Sequence, residues 1–346
     1  STHAVVSSSE TGTAYLVDSR VTVSTQADVL ALTDSQYNSV TITTANAATN
    51  VDLTGLSTGS YKLYTVDAAG NLSAGTTNTI TVYAGVELTA IAAGVGGFVI
   101  NGQPDDQSGY AISDAGDVNG DGLADVIVGT YVITAGGVSK SYVVFGQTGT
   151  TAIDLSAVAA GTGGFVINGV SSDDRSGAAV SVAGDLNGDG LTDLLVGAWG
   201  TSTNSGKSYV VYGKTGTSAI DLSAVAAGTG GFVINGQASN DFSGYAVSHA
   251  GDVNGDGLAD LIVGAYGASA IAGKSYVVFG QTGTTAVNLS AVAAGTGGFV
   301  INGQAAGDGS GNTVSNAGDV NGDGLADLLV GASAASSNTG KSYVVF

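Results

Sequence analysis

The chain has 346 residues, a formal net charge of −20, no Cys and 7% aromatic residues. Eight basic residues against 28 acidic ones exclude a nucleic-acid surface, which needs clustered Lys and Arg to replace phosphate counterions. No disulfide scaffold is possible, no apolar run approaches the ~20 residues that span a membrane, and the length exceeds one comfortable core. Two domains are therefore expected. Neither an initiator Met nor a signal peptide opens the sequence, so a mature or excised portion of a precursor is expected.

In chain order, residues 1–85 alternate in strand fashion at 13–17, 40–44, 61–66 and 79–83, the pattern of a small β-sandwich. His3 falls in a terminus expected to fray. A domain boundary is expected near residues 83–85, because 87–97 already mimics the segment 154–164 that separates later units.

From residue 86 the chain is a tandem array, and internal repetition dictates fold. Gly-Gly-Phe-Val-Ile-Asn-Gly recurs at Gly96, Gly163, Gly230 and Gly297. Lys-Ser-Tyr-Val-Val-Phe recurs at Lys140, Lys207 (with Tyr212 last), Lys274 and Lys341. In the third unit, β-type runs at 232–235, 245–249, 260–264 and 275–279 are separated by Gly, Asn, Asp and Ser. Four short strands per unit with glycine-marked turns suit one propeller blade. Asp221 and Gly228 bracket one short helical turn at 222–227.

Each unit also contains Asp-x-Asn-Gly-Asp-Gly-Leu-x-Asp, at 117–125, 185–193, 252–260 and 319–327. Hard oxygens at positions 1, 3, 5 and 9, with the backbone carbonyl of position 7, form a calcium-loop signature, and the glycines at 4 and 6 let the loop curl around one ion. The candidate ligands are Asp117, Asn119, Asp121, Leu123 and Asp125 in the first loop, and Asp185, Asn187, Asp189, Leu191 and Asp193 in the second. In the third they are Asp252, Asn254, Asp256, Leu258 and Asp260, and in the fourth Asp319, Asn321, Asp323, Leu325 and Asp327. An EF-hand would need flanking helices and a glutamate at position 12, where this chain has Val128, Val196, Val263 and Val330. Four structural Ca2+ sites are expected rather than Mg2+, which demands stricter octahedral geometry.

Catalytic residues are not expected. His249 occupies a place held by Asp114, Val182 and Asn316 in sister units, so nucleophilic triads lack a dependable base. Asp106, Asp174, Asp241 and Asp308 are expected to cap the backbone amides that follow them. Lys140, Lys207, Lys274 and Lys341 are expected to protect a strand end or to pair locally. Tyr131, Trp199 and Tyr266 open the most variable stretches, and are candidates either for packing between blades or for anchoring a partner.

With these motifs, residues 86–346 resemble the FG-GAP repeats of integrin α-type β-propellers, especially bacterial versions. The carrying segments are Ser-Gly-Tyr-Ala-Val-Ser at 243–248, the acidic loop, and Val-Gly-Ala-Tyr at 263–266. Ser-Gly replaces the family's aromatic-Gly pair, and Tyr131, Trp199, Tyr266 or Ser333 replaces its proline. The segment 59–71 resembles the closing strands of bacterial Ig-like domains. The resemblance implies an all-β chain, an Ig-like β-sandwich at 1–85 followed by FG-GAP propeller blades at 86–346. These blades form part of a seven-bladed propeller, or a four-blade array closed or assembled through residues 98–101 as the outermost strand of the last blade. It implies Ca2+ in the loops and partner recognition on the face opposite them. The expected function is a non-catalytic, calcium-stabilised extracellular or cell-surface adhesion or binding module. The partner would be an extracellular protein, a polysaccharide or further copies of the chain. A structural subunit of a surface layer or filament, and a polysaccharide-binding accessory domain, are the alternatives.

Overall fold

The computed structural model describes residues 3–67, 69–82, 87–132 and 136–346. The chain divides into two compact units, Ser1–Ala90 and Ile91–Phe346. The boundary expected at residues 83–85 lies outside the described residues. Strands dominate both units, and among the described residues no helix is long and apolar enough to cross a membrane.

The N-terminal unit has six strands: β1 (His3–Val6), β2 (Gly12–Asp18), β3 (Tyr37–Ile42), β4 (Thr49–Asp52), β5 (Gly59–Val66) and β6 (Thr79–Val82). They form an antiparallel sheet of order β3-β2-β5-β6 and a two-stranded sheet, β1-β4. Val6 and Val51 of the small sheet meet Ala14, Leu16, Ile42, Tyr61 and Val82 of the large one in a shared core. Simple alternation in β2 predicts one buried face, yet Tyr15 and Val17 on its other face are buried too. A one-turn helix, Gln26–Leu30, covers that side with Val29, and Thr25 and Asp28 cap it reciprocally. His3 does not fray: it opens β1 opposite Asp52.

The second unit begins with β7 (Ile100–Asn101). A meander of β8 (Ala111–Gly116), β9 (Asp125–Gly129) and β10 (Lys140–Val144) follows. After β11 (Ile153–Asp154), β12 (Gly164–Asn168) adds to β10 as the fourth, outermost strand. The second blade repeats this with β13 (Ala179–Gly184), β14 (Asp193–Ala198), β15 (Lys207–Val211), the short β16 (Ile220–Asp221) and β17 (Gly231–Asn235). The third uses β18 (Ala246–Gly251), β19 (Asp260–Ala265), β20 (Lys274–Val278), the short β21 (Val287–Asn288) and β22 (Gly298–Asn302). The fourth has three strands, β23 (Ser310–Gly318), β24 (Asp327–Ala332) and β25 (Lys341–Val345).

The blades are thus offset from the sequence units by one strand. The run at 232–235 does not join 245–249 in one blade; it pairs with Lys207–Val211 of the preceding meander. Residues 98–101 likewise do not complete the last blade. Ile100–Asn101 pairs in parallel with Ile153–Asp154, as β12 pairs with β16 and β17 with β21. Each of these junctions carries a side-chain latch: Asn101 donates to Asp154, Asn168 to Asp221 and Asn235 to Asn288. The helical turns Leu155–Ala159, Leu222–Ala226 and Leu289–Ala293 then bury Leu and Val beside each outermost strand, so that edge is covered.

Neighbouring blades pack face to face. Ile127, Val143 and Phe165 of the first meet Val180, Leu194, Val196 and Val211 of the second, and β14 and β19 are buried along their whole length. The close approach depends on glycine pairs. A Cβ on Gly129, Gly197 or Gly264 would stand 2.0, 2.1 or 2.0 Å from the carbonyl oxygen of Gly177, Gly244 or Gly311 in the next blade. Overpacking of this kind costs about 1–3 kcal/mol. Gly197→Ala should therefore lower the free energy of urea unfolding by about that amount. Gly216→Ala, where an added Cβ meets nothing within 4 Å, should leave it unchanged.

Candidate metal centre and the opposite face

Each acidic loop joins the first strand of a blade to the second. A bulge at the strand end starts the loop, with Gly116, Gly184, Gly251 and Gly318 at positive φ. Positions 4 and 6 are also left-handed, as at Gly120 (φ 79°) and Gly122 (φ 85°), a conformation that glycine adopts without strain. The curl points amides inward. Asp117 Oδ1 accepts the N–H groups of Gly120 and Asp121, and its Oδ2 accepts that of Gly122, at 2.7, 3.1 and 2.9 Å. Asn119 accepts from the Asp121 amide and donates to Asp121 Oδ2, while Asp121 Oδ1 accepts from the Leu123 amide. The same network recurs around Asp185, Asp252 and Asp319.

Position 9 is different: it is the first residue of the second strand and is buried. Asp125 Oδ2 accepts the Val118 amide of its own loop, and Oδ1 accepts the amide of Gly146, beyond the third strand. Asp193 does the same with Leu186 and Gly213, and Asp260 with Val253 and Gly280. Asp327 accepts from Val320 and Asn321, and its Oδ1 is buried without a partner. Burial holds the Asp125, Asp193 and Asp260 carboxyls above the usual range against these amide bonds, with repulsion from positions 5 and 1 adding to it. Asp193 is pushed up to about 6.

Among the described residues, no three His, Cys, Asp or Glu side chains converge into a ready-made cage. The carboxylates are turned toward loop amides instead. The donor chemistry still fits a hard cation. A carboxylate has about four lone-pair sites. Asp117 spends three on amides, Asp121 two and Asp125 two, so every acidic member of the loop keeps accepting capacity. The loops also touch one another. The Thr192 and Lys214 amides donate to the carbonyls of Asp117 and Val118, and the Ala326 amide donates to that of Asp252.

At the opposite strand ends, the stretch after the second strand of the second and third blades faces the loop leading into the next meander. Ser202, Thr203 and Asn204 are all left-handed, as are Ser269, Ala270 and Ile271, and Ser336, Ser337 and Asn338. Sequence reading missed these turns. Runs of left-handed non-glycine residues cost roughly 1–2 kcal/mol each, and only their small and Asn residues hint at them. The stretches are laced to the following blade, with the Phe242 and Ser243 amides donating to Asn204 and Ser205.

Tyr131, Trp199 and Tyr266 lie at this end, half-buried. Tyr131 stacks on Tyr110 at 4.5 Å, and Trp199 meets Phe242 and Tyr245 at 5.9 and 6.0 Å. Tyr266 meets the same two rings at 5.1 and 4.6 Å. The Arg175 guanidinium lies over Tyr131 and Trp199 at 5.2 and 6.0 Å. Tyr110, Arg175, Phe242 and Tyr245 were not singled out in the sequence, although Arg175 and Phe242 differ from Gln107 and Gly309 at their position, and Tyr110 and Tyr245 from Ala178 and Asn312 at theirs. Asp174 and Asp241 do not cap the amides that follow; they accept from Ser171 and Ala238, three residues earlier, and Asp106 accepts from the Tyr142 hydroxyl. Lys274 and Lys341 pair locally with Gln237 and Gln304.

Fold and loops together define an all-β array of meander blades, each carrying one acidic turn. Comparison with known proteins agrees. Residues 176–211, 243–278 and 310–345 match the FG-GAP repeat family model, each match covering the three inner strands of one blade and its acidic loop. The chain is 38% identical to integrin alpha-M of Mus musculus and 39% to integrin alpha-X of Homo sapiens, each over 95 residues, 27% of this chain and 8% of the relative. It is 31% identical to integrin alpha-V of Gallus gallus over 164 residues, 46% of this chain and 15% of that protein. The matched segments read as FG-GAP repeats similar to those of integrin alpha chains, and the chain spans at most 15% of the length of these relatives.

Burial favours the protonated form of Asp193, so without cations its loop gains stability at acid pH and loses it as pH rises from the usual carboxylate range through about 6. NMR titration of the Asp193 carboxyl in chelator should give a midpoint near 6, and added calcium should move it well below that. A midpoint unaffected by calcium would separate Asp193 from any bound ion.

Proposed function

We propose that this chain is a non-catalytic, calcium-stabilised binding or adhesion module that works outside the cell or at its surface. The observation that carries the reading is the loop network, in which the Asp and Asn side chains of one tight turn bind its amides and keep oxygen lone pairs to spare. The ions would be held by positions 1, 3, 5 and 9 and by the carbonyls of Leu123, Leu191, Leu258 and Leu325. Four divalent cations would add eight positive charges to a net −20, leaving −12. Calcium suits a flexible loop of this kind better than magnesium, and its millimolar level outside cells would saturate even weak sites. With no Cys for disulfides, the ions take over the stapling role common in secreted domains.

The integrin relatives support an extracellular setting and a display rather than catalytic role. With no Cys and two His, the chain has little material for a His-dependent nucleophilic triad. We read residues 1–85 as an Ig-like sandwich and 86–346 as the propeller portion. The stretches that carry Tyr131, Trp199 and Tyr266 are the partner-facing surface in this reading.

Binding confined to the folded loop stabilises it by roughly 2.7 kcal/mol per site at one hundred times the dissociation constant. Scanning calorimetry in calcium and in chelator should show a higher melting temperature with calcium. Asp252→Ala combined with Asp256→Ala should remove about one site's share of that gain. An identical melting curve for the double variant and the parent in calcium would exclude a structural ion in the third loop.

A further inference from the structure

The rings opposite the acidic loops form one continuous strip across three blades. In order along it stand Tyr110, Tyr131, Arg175, Trp199, Phe242 with Tyr245, and Tyr266, each within 6.0 Å of the next by ring centroid or guanidinium carbon. Two of its rings are open to solvent, Tyr110 being 56% and Tyr245 41% exposed. In a chain with 7% aromatic residues, that concentration at the surface is a departure from composition.

Two further observations separate the strip from ordinary packing between blades. First, the strands and acidic loops of the four units are nearly identical, while the strip positions diverge. Tyr131, Trp199 and Tyr266 correspond to Ser333, and Tyr110 and Tyr245 to Ala178 and Asn312. A shared packing role would hold one residue type throughout. Second, Gln107, Arg175 and Phe242 occupy a left-handed backbone position (φ 46°, 58° and 54°) that the fourth unit gives to Gly309 (φ 63°). Large side chains are kept there at a cost glycine would avoid, and retained strain of this kind clusters at ligand sites. The backbone is shaped to receive them: a Cβ on Gly200 or Gly267 would come within 3.1 Å of Arg175 Cγ or 2.6 Å of Phe242 Cδ2.

We propose that this strip binds a neutral polysaccharide chain, its rings stacking on the apolar faces of successive sugar rings. This rests on the reading of the chain as a binding module and names its ligand class. The charge around the strip selects a neutral ligand. Asp174 and Asp241 are buried in the same loops, and Arg175 is engaged by two rings. The exposed Asp105 and Asp173, on a chain of net charge −20, repel uronic-acid or sulfated glycans. What faces solvent is a row of rings and phenolic hydroxyls, able to stack and to hydrogen-bond at once.

Trp199 is the one Trp in the chain and reports on the strip directly. The calcium-loaded full chain is titrated, by Trp emission, with oligosaccharides of neutral glucan, mannan and chitin, with oligogalacturonate and with oligolysine. At least one neutral oligosaccharide should give a saturable change, and the two charged probes should not. Tyr110→Ala and Tyr245→Ala should each weaken binding about ten-fold with the melting temperature unchanged. The proposal is overturned if no neutral oligosaccharide binds, if oligolysine is preferred, or if the double variant Tyr110→Ala with Tyr245→Ala binds as the parent does. Adhesion to intact cells separates the two readings. If the double variant adheres as the parent does, the module stands and the glycan strip falls; if the parent does not adhere, both fall.

Discussion

Each blade is organised around a carboxylate that has been taken out of water. In the first three blades the aspartate at loop position 9 begins the second strand, holds the loop through one oxygen and the turn beyond the third strand through the other. Three strands and their connection are tied at one point, and the tie is a charge that burial resists. Solvation could be restored by protonation, as the raised Asp193 carboxyl illustrates, or by a neighbouring cation. The same residue therefore supplies both the connectivity of the blade and its demand for positive charge. The first loop is bonded to the second through Thr192 and Asp117, and the third to the fourth through Ala326 and Asp252.

Much of this was legible in the sequence because it repeats. The acidic loops, the glycines that must be left-handed at positions 4 and 6, and the short strands could be read from residue type and spacing alone. The pairing of Lys207–Val211 with Gly231–Asn235 could not. Strand pattern says that a segment is extended, while the choice of partner is decided by packing between blades and by the helical turn at Leu222–Ala226. The double-sided burial of β2 was hidden for a similar reason, since the helix covering Tyr15 and Val17 is a single capped turn. The aspartates before Ser-Gly were misread because a turn residue can bond forward or backward, and the local sequence does not choose.

The two ends of the blades obey different rules. At the acidic end, residue identity is nearly invariant from unit to unit, as expected where each side chain must meet a set of amides in one geometry. At the other end the backbone is shared but the side chains are not. The left-handed runs at Ser202–Asn204, Ser269–Ile271 and Ser336–Asn338 keep the same path with different residues. A rigid, laced backbone there permits side-chain variation without loss of shape, the arrangement a recognition surface requires. Invariance at one end makes variation at the other tolerable.

The borrowing of each outermost strand from the following unit has a bearing on how such a chain can grow. No sequence unit owns a whole sheet, so no single unit is a self-contained folding piece. Insertion of one complete period, wherever the cut falls, hands every strand a partner of the right kind and extends the array without a misfit. Loss of half a period would leave two meanders facing each other with unmatched edges. Genetic lengthening by whole periods is thereby tolerated, and lengthening by fractions is penalised at the level of hydrogen bonding.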